Sequence, residues 1–122
     1  MTALRRFWAE LGTRDFAALD PATTVAVLPL GATEQHGPHL PLGVDSLLVD
    51  GIVQAALPLL PAELPAIFLP TQHIGLSPEH ARFAGTLTLS AETLIRMWKE
   101  IGAGVARAGV RKLVLFNAHG GH

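Results

Sequence analysis

The chain contains no cysteine, which removes disulfides, thiolate nucleophiles and thiolate metal ligands at once. Any metal bound here must therefore be held by His, Asp and Glu. Net charge is also lacking: nine Lys and Arg against ten Asp and Glu leave a formal charge of −1. So balanced a chain has no electrostatic reason to bind nucleic acid or an anionic membrane surface. No apolar run approaches the ~20 residues that a bilayer-spanning helix needs. The N-terminal residues carry Arg5 and Arg6 with no continuous apolar segment after them, so they do not read as a signal peptide. A cytoplasmic protein is expected by default. No Gly-x-Gly-x-x-Gly follows the first predicted strand, which disfavours a Rossmann-like nucleotide binder. At 122 residues the chain is long enough for one core and too short for two ordinary domains.

What the sequence does have is short apolar strands alternating with helices. Residues 3–19 read as a helical lead-in, with Leu4, Phe7, Trp8 and Leu11 at helical spacing. Residues 23–30 and 66–69 read as buried strands and residues 86–89 as either a short strand or an extended entry to the next helix. Residues 45–57 have helical periodicity, which predicts Leu48, Ile52 and Ala55 or Ala56 facing inward. Ser90 is a good N-cap for a second helix running to about Ala108, with Leu94, Trp98, Ile101 and Val105 as its apolar stripe. Gly102 and Gly104 should cost that helix about 1 kcal/mol each, with close packing on a sheet as the expected compensation. Gly109 fits the C′ position, and residues 112–116 read as another buried strand. This alternation predicts an α/β fold with a mainly parallel sheet covered on both faces.

The placement of histidine is the most informative pattern. All six, at positions 36, 39, 73, 80, 119 and 122, fall in segments that follow the C-terminal end of a predicted strand. In open α/β sheets that edge is where ligands bind, so the six point to one composite site. Glu34 and His36 lie at i and i+2, which in an extended segment point the same way; a polar surface turn explains the pair equally well. Asp45, taken alone, reads as the N-cap of the helix it precedes, although one carboxylate can both cap and bind. His119 sits between a strand and the paired Gly120 and Gly121, where backbone and ligand can approach closely. Ser77, Glu79 and His80 lie in a long irregular stretch of the functional kind. No strand–Gly-x-Ser-x-Gly–helix elbow supports a nucleophilic serine. Mixed imidazole and carboxylate ligands suit borderline divalent metals, so a metal site leads.

Three blocks then become recognisable. Gly31-Ala32-Thr33-Glu34-Gln35-His36-Gly37-Pro38-His39-Leu40-Pro41, followed by Asp45, resembles the N-terminal signature of the creatininase (creatinine amidohydrolase) family. Gly75-Leu76-Ser77-Pro78-Glu79-His80 with Gly85-Thr86-Leu87-Thr88-Leu89 resembles its middle block, and Asn117-Ala118-His119-Gly120-Gly121 its third. The resemblance implies a three-layer α/β/α fold, a homo-oligomer, and a site of two divalent metals (Zn, Mn or Fe) that hydrolyses the C–N bond of a small-molecule amide. It implies Glu34 and His119 on one metal, His36 on the second, Asp45 bridging them, and Ser77 and His80 beside the substrate. Family members are substantially longer. Residues 1–122 are therefore expected to form a single creatininase-like domain cut short at its C-terminus, with a further carboxylate ligand lying beyond it. The alternative is a non-catalytic piece that binds metal without turnover.

Overall fold

A computed structural model describes residues 5–122, and its centre is strand β1, Val25–Leu30. β1 pairs in parallel with β2, Ala66–Phe68, on one side and with β3, Lys112–Asn117, on the other. The three-stranded sheet has the order β2-β1-β3. In register, Ala26 lies opposite Ile67 and Leu113, and Leu30 opposite Asn117. Pro29 sits inside the central strand, where a missing N–H normally costs a ladder bond. Odd-numbered β1 residues bond toward β2, and β2 pairing has already ended at Val27. The absent donor of Pro29 therefore falls where no β2 ladder bond is required.

Each crossover between parallel strands carries a helix: α1, Val44–Ala56, joins β1 to β2, and α2, Ala91–Arg107, joins β2 to β3. Alternation along β1 sends Ala26, Leu28 and Leu30 to one face, where they form the core with Leu69, Val105 and Val110. Trp98, Ile101 and Leu113 pack against that cluster, so α2 covers this face. Pro29 points the other way and shares a recess with Asp50 and Val53 of α1. One helix per face gives the three-layer α/β/α arrangement. The predicted α2 stripe is the buried one, the Ser90 hydroxyl accepts from the Thr93 N–H at 3.2 Å, and Gly109 takes φ +94° at the helix end.

Several expectations are corrected. The α1 face is rotated: Leu48 and Ile52 are half exposed, and the buried residues are Asp45, Ser46, Val49 and Val53. Asp45, Val49 and Val53 are four apart and form one stripe, so a polar residue sets the inward face. The lead-in is two 3-10 turns, Trp8–Glu10 and Thr13–Ala18, rather than one helix; its first residues lie outside those described. Gly12 and the Asp15 carboxylate that accepts its N–H at 2.7 Å divide them. Residues 86–89 form only isolated bridges, Thr33 with Leu87 and Gly75 with Thr88. β3 is not buried: as an edge strand it leaves Val114 and Leu115 each 47% exposed. Gly102 and Gly104 are not close-packing positions, since a Cβ there would meet only ordinary contacts, with Leu113 and with Arg107. Among the described residues no helix is long and apolar enough to cross a membrane.

Candidate metal centre

The site is assembled at the C-terminal edge of the sheet from three segments. The loop after β1 is closed by the Glu34 N–H, which donates to the Leu42 carbonyl at 3.0 Å. This brings Glu34 back toward the start of α1, where Asp45 occupies the first turn. The N-cap of α1 is Gly43, with no side-chain cap bond, so the Asp45 carboxylate is free to point into the site. The segment after β2 is pinned alongside: the Gln35 N–H donates to Thr86 Oγ1 at 3.1 Å and the Ser77 N–H to Thr88 Oγ1 at 2.7 Å. Beyond β3, Asn117 brackets His119, donating to its carbonyl at 2.8 Å and accepting its N–H at 3.0 Å.

These segments bring Glu34, Asp45 and His119, all buried, within 4.8 Å of one another by their ligand atoms. His119 Nδ1 lies 2.8 Å from Asp45 Oδ2 and 3.2 Å from Glu34 Oε1. His36 Nε2 lies 3.2 Å from Asp45 Oδ1 and 4.0 Å from Glu34 Oε1. Asp45 thus offers one oxygen to each histidine.

The other nitrogen of each ring decides what that means. His119 Nε2 lies 2.8 Å from the Leu76 carbonyl and His36 Nδ1 lies 3.0 Å from the Glu34 carbonyl. A carbonyl oxygen can only accept, so each of these nitrogens carries the proton. In the neutral rings His119 Nδ1 and His36 Nε2 are then bare lone pairs aimed at carboxylate oxygens. Lone pairs from two imidazoles and two carboxylates that converge without a donor call for positive charge between them, either a second proton on a ring or a bound cation. Burial disfavours a charged His119, but the Leu76 carbonyl and the Asp45 and Glu34 carboxylates outweigh it and raise its pKa above the ordinary imidazole value. The electrostatics that favour a proton there also favour a divalent ion.

The remaining candidates separate clearly. Ser77 is fully buried behind His119, with Oγ 3.4 Å from Nε2. That nitrogen already donates to Leu76 and cannot take a proton from the hydroxyl, so no Ser–His nucleophile exists here. His80 stands on the far side of Glu34, with Nε2 3.7 Å from Oε2, and is partly exposed. The six histidines do not form one site: His39 and His73 are exposed and join no cluster of potential ligands among the described residues. His122 accepts the Leu76 N–H through Nε2 at 3.3 Å and packs edge-on between His119 and Trp98. Burial, then the neighbouring His119, lowers its pKa, consistent with a neutral structural ring. The carbonyls of Leu76 and Glu34 that set both tautomers carry no side-chain signal by which sequence reasoning could find them.

Gly121 adds a constraint. A Cβ built there would lie 2.5 Å from His119 Nε2 and 2.7 Å from the Leu76 oxygen, prising apart the bond that fixes the His119 tautomer. Gly121→Ala is expected to weaken cation binding by about 10- to 100-fold, the range for loss of an outer-shell partner. Calorimetric titration with Zn²⁺ checks this; unchanged affinity would mean that the Leu76 contact does not orient the ring.

The chain resembles known proteins over nearly all of its length. The creatininase family profile, described as creatinine amidohydrolase, matches residues 9–122. The mycofactocin precursor peptide peptidase of Mycobacterium tuberculosis is 39% identical over 119 residues, covering 93% of this chain and 47% of that protein. A creatininase structure in its Mn form superposes with TM-score 0.79 at 32% identity, and a creatininase variant of Zn–Zn type with TM-score 0.78 at 32% identity. Each match covers 95% of this chain and 46% of the other. The chain therefore spans about half the length of the relatives it matches. Matched over residues 9–122 by the family profile and superposing on creatininase structures over 95% of its length, this chain belongs to the creatininase family.

Proposed function

We propose that this chain carries the ligand core of a divalent-metal amidohydrolase. In this reading Glu34, Asp45 and His119 hold one ion, while Asp45 and His36 begin the shell of a second. The observation that carries it is the Asp45 carboxylate, with each oxygen facing the unprotonated nitrogen of a different histidine. Ions held in this way supply Lewis acidity, polarising an amide carbonyl and acidifying a water. The protein's own contribution is orientation. The Leu76 and Glu34 carbonyls fix both rings, the buried Glu34 and Asp45 supply compensating negative charge, and the segment 75–89 forms a wall beside them. Ser77 and His80 belong to that wall, Ser77 behind His119 and His80 toward the side open to solvent.

The bond cleaved is a C–N bond of amide type, in a cyclic amide, a formamide or a small peptide. Support for this breadth comes from the relatives, one a peptidase on a precursor peptide and the family's namesake an amidohydrolase of creatinine. The proposal extends to a cytoplasmic homo-oligomer and to a single domain of this family over residues 1–122. Bound Zn²⁺ or Mn²⁺ counted by elemental analysis tests the centre. About two ions are expected in the wild type, and about one each in His36→Ala and His119→Ala. Release of amine from cyclic amides and short peptides tests the chemistry. A folded wild-type chain that retains no metal would overturn the reading. Metal without turnover would favour a binding piece that is not itself catalytic.

A further inference from the structure

A second group of potential ligands lies beside the first: Glu34, Glu79 and His80 also come within 4.8 Å of one another. Glu34 is shared, with Oε1 facing His119 and Oε2 facing His80 Nε2 at 3.7 Å. Glu34 is 5% exposed, and Oε2 is a buried oxygen with no hydrogen-bond partner among the described residues. An orphaned carboxylate oxygen next to an imidazole and a second carboxylate suggests a further cation position. The hydrogen bonds around Gln35 argue otherwise.

The Gly37 N–H donates to Gln35 Oε1 at 2.9 Å. A backbone N–H can only donate, so that end of the Gln35 amide is the oxygen and the other end is the NH₂ group. The NH₂ group lies 2.8 Å from His80 Nδ1, which must therefore accept. A neutral imidazole that accepts at Nδ1 carries its proton on Nε2. His80 thus presents an N–H, not a lone pair, to Glu34 Oε2, and cannot ligate a cation through that nitrogen. The reverse tautomer would require Gln35 to turn over and set its NH₂ group against the Gly37 N–H.

We propose that Gln35 is a positioning residue: it fixes His80 as the Nε2–H tautomer, so that His80 donates to Glu34 Oε2 and holds Oε1 toward the metal centre. This rests on Glu34 being a ligand, as proposed above. The relay runs from the Gly37 N–H through the Gln35 amide and the His80 ring to Glu34 Oε2, a buried carboxylate oxygen with no other partner among the described residues. Closing the 3.7 Å gap needs less than an ångström of movement, and ligating carboxylates characteristically take such an outer partner. Gln35 also lines a recess of about 340 Å³ with Pro38, Leu42 and Phe83.

Long-range ¹H–¹⁵N correlation spectra of the whole chain, with His80 assigned by its loss in His80→Ala, test this directly. The wild type is expected to show a proton on His80 Nε2 and none on Nδ1. In Gln35→Glu the new carboxylate can only accept, so Nδ1 becomes protonated while the other five histidines keep their signatures. Zn²⁺ affinity should fall about 10- to 100-fold in that variant. A wild-type His80 protonated on Nδ1, an unprotonated Nδ1 in Gln35→Glu, or a zinc-bound His80 Nε2 would each overturn the proposal. Failure of the metal centre is a separate result: adding Zn²⁺ would then leave His36 and His119 unshifted, while the His80 tautomer would still decide the role of Gln35.

Discussion

Asp45→Ala should remove most of the stabilisation that a divalent cation gives the wild-type chain. Asp45 comes within hydrogen-bond range of both histidines, with Oδ1 3.2 Å from His36 Nε2 and Oδ2 2.8 Å from His119 Nδ1, whereas Glu34 Oε1 is that near only to His119. Its removal leaves the rings oriented, because each keeps its own backbone carbonyl partner. What is lost is the shared anion between them. Glu34 alone then stands near the His119 nitrogen, and the His36 side has no carboxylate within ordinary hydrogen-bond range. At a cation concentration about 100 times the dissociation constant, linkage gives the wild type about 2.7 kcal/mol. If affinity falls about 100-fold, the same concentration gives the variant about 0.4 kcal/mol. For a domain of this size that is a melting shift of roughly 10 °C against roughly 1.5 °C. Scanning calorimetry with and without Zn²⁺ reads both. Equal shifts in the two proteins would place the cation elsewhere and remove Asp45 from the centre.

The two sides of this comparison differ in how far the sequence announces them. The residues that converge are legible in part: Glu34, His36 and His119 are potential ligand types placed just past strand ends, whereas Asp45 taken alone reads as a helix cap. The strands and α2 are legible for a related reason: Leu94, Trp98, Ile101 and Val105 bury the face that their periodicity predicts. The face of α1 is not. Its leucines and isoleucine suggest one stripe, yet the stripe through Asp45, Val49 and Val53 is the buried one. Hydrophobic periodicity follows the apolar residues alone, whereas the buried stripe of α1 begins with Asp45, a carboxylate that lies against two histidines. β3 escapes prediction differently. Its apolar run looks like a central strand, but its place at the sheet edge leaves Val114 and Leu115 half exposed. The tautomers of His36, His80 and His119 depend on bonds to backbone groups and to Gln35, contacts that only the folded chain creates.

Gly31→Ala should destabilise the fold and the centre together, because the position where β1 gives way to the loop has no room for a methyl group. A Cβ at Gly31 would lie 2.7 Å from Ser46 Cα and 2.9 Å from Ser46 N, closer still to its hydroxyl. Rotating the Ser46 side chain could free the hydroxyl but not the backbone atoms, so the first turn of α1 must move. Overpacking of this kind costs about 1–3 kcal/mol, occasionally more. The residue carried by that turn is Asp45, and Ser46 also donates to the Ala32 carbonyl at 3.4 Å, tying the loop to the same displacement. Metal affinity should therefore fall along with stability. Gly51→Ala provides the contrast within the same helix: a Cβ there meets nothing within 4 Å, so removing glycine from a helix interior should stabilise the chain by about 0.5–1 kcal/mol and leave metal binding unchanged. Urea denaturation and Zn²⁺ titration of the two variants separate the effects. If Gly31→Ala bound Zn²⁺ like the wild type while losing stability, β1 and α1 would adjust without moving Asp45, and their close approach would serve the core alone. If both properties fall in Gly31→Ala and neither falls in Gly51→Ala, the contact between the end of β1 and the start of α1 is what sets the Asp45 carboxylate in place.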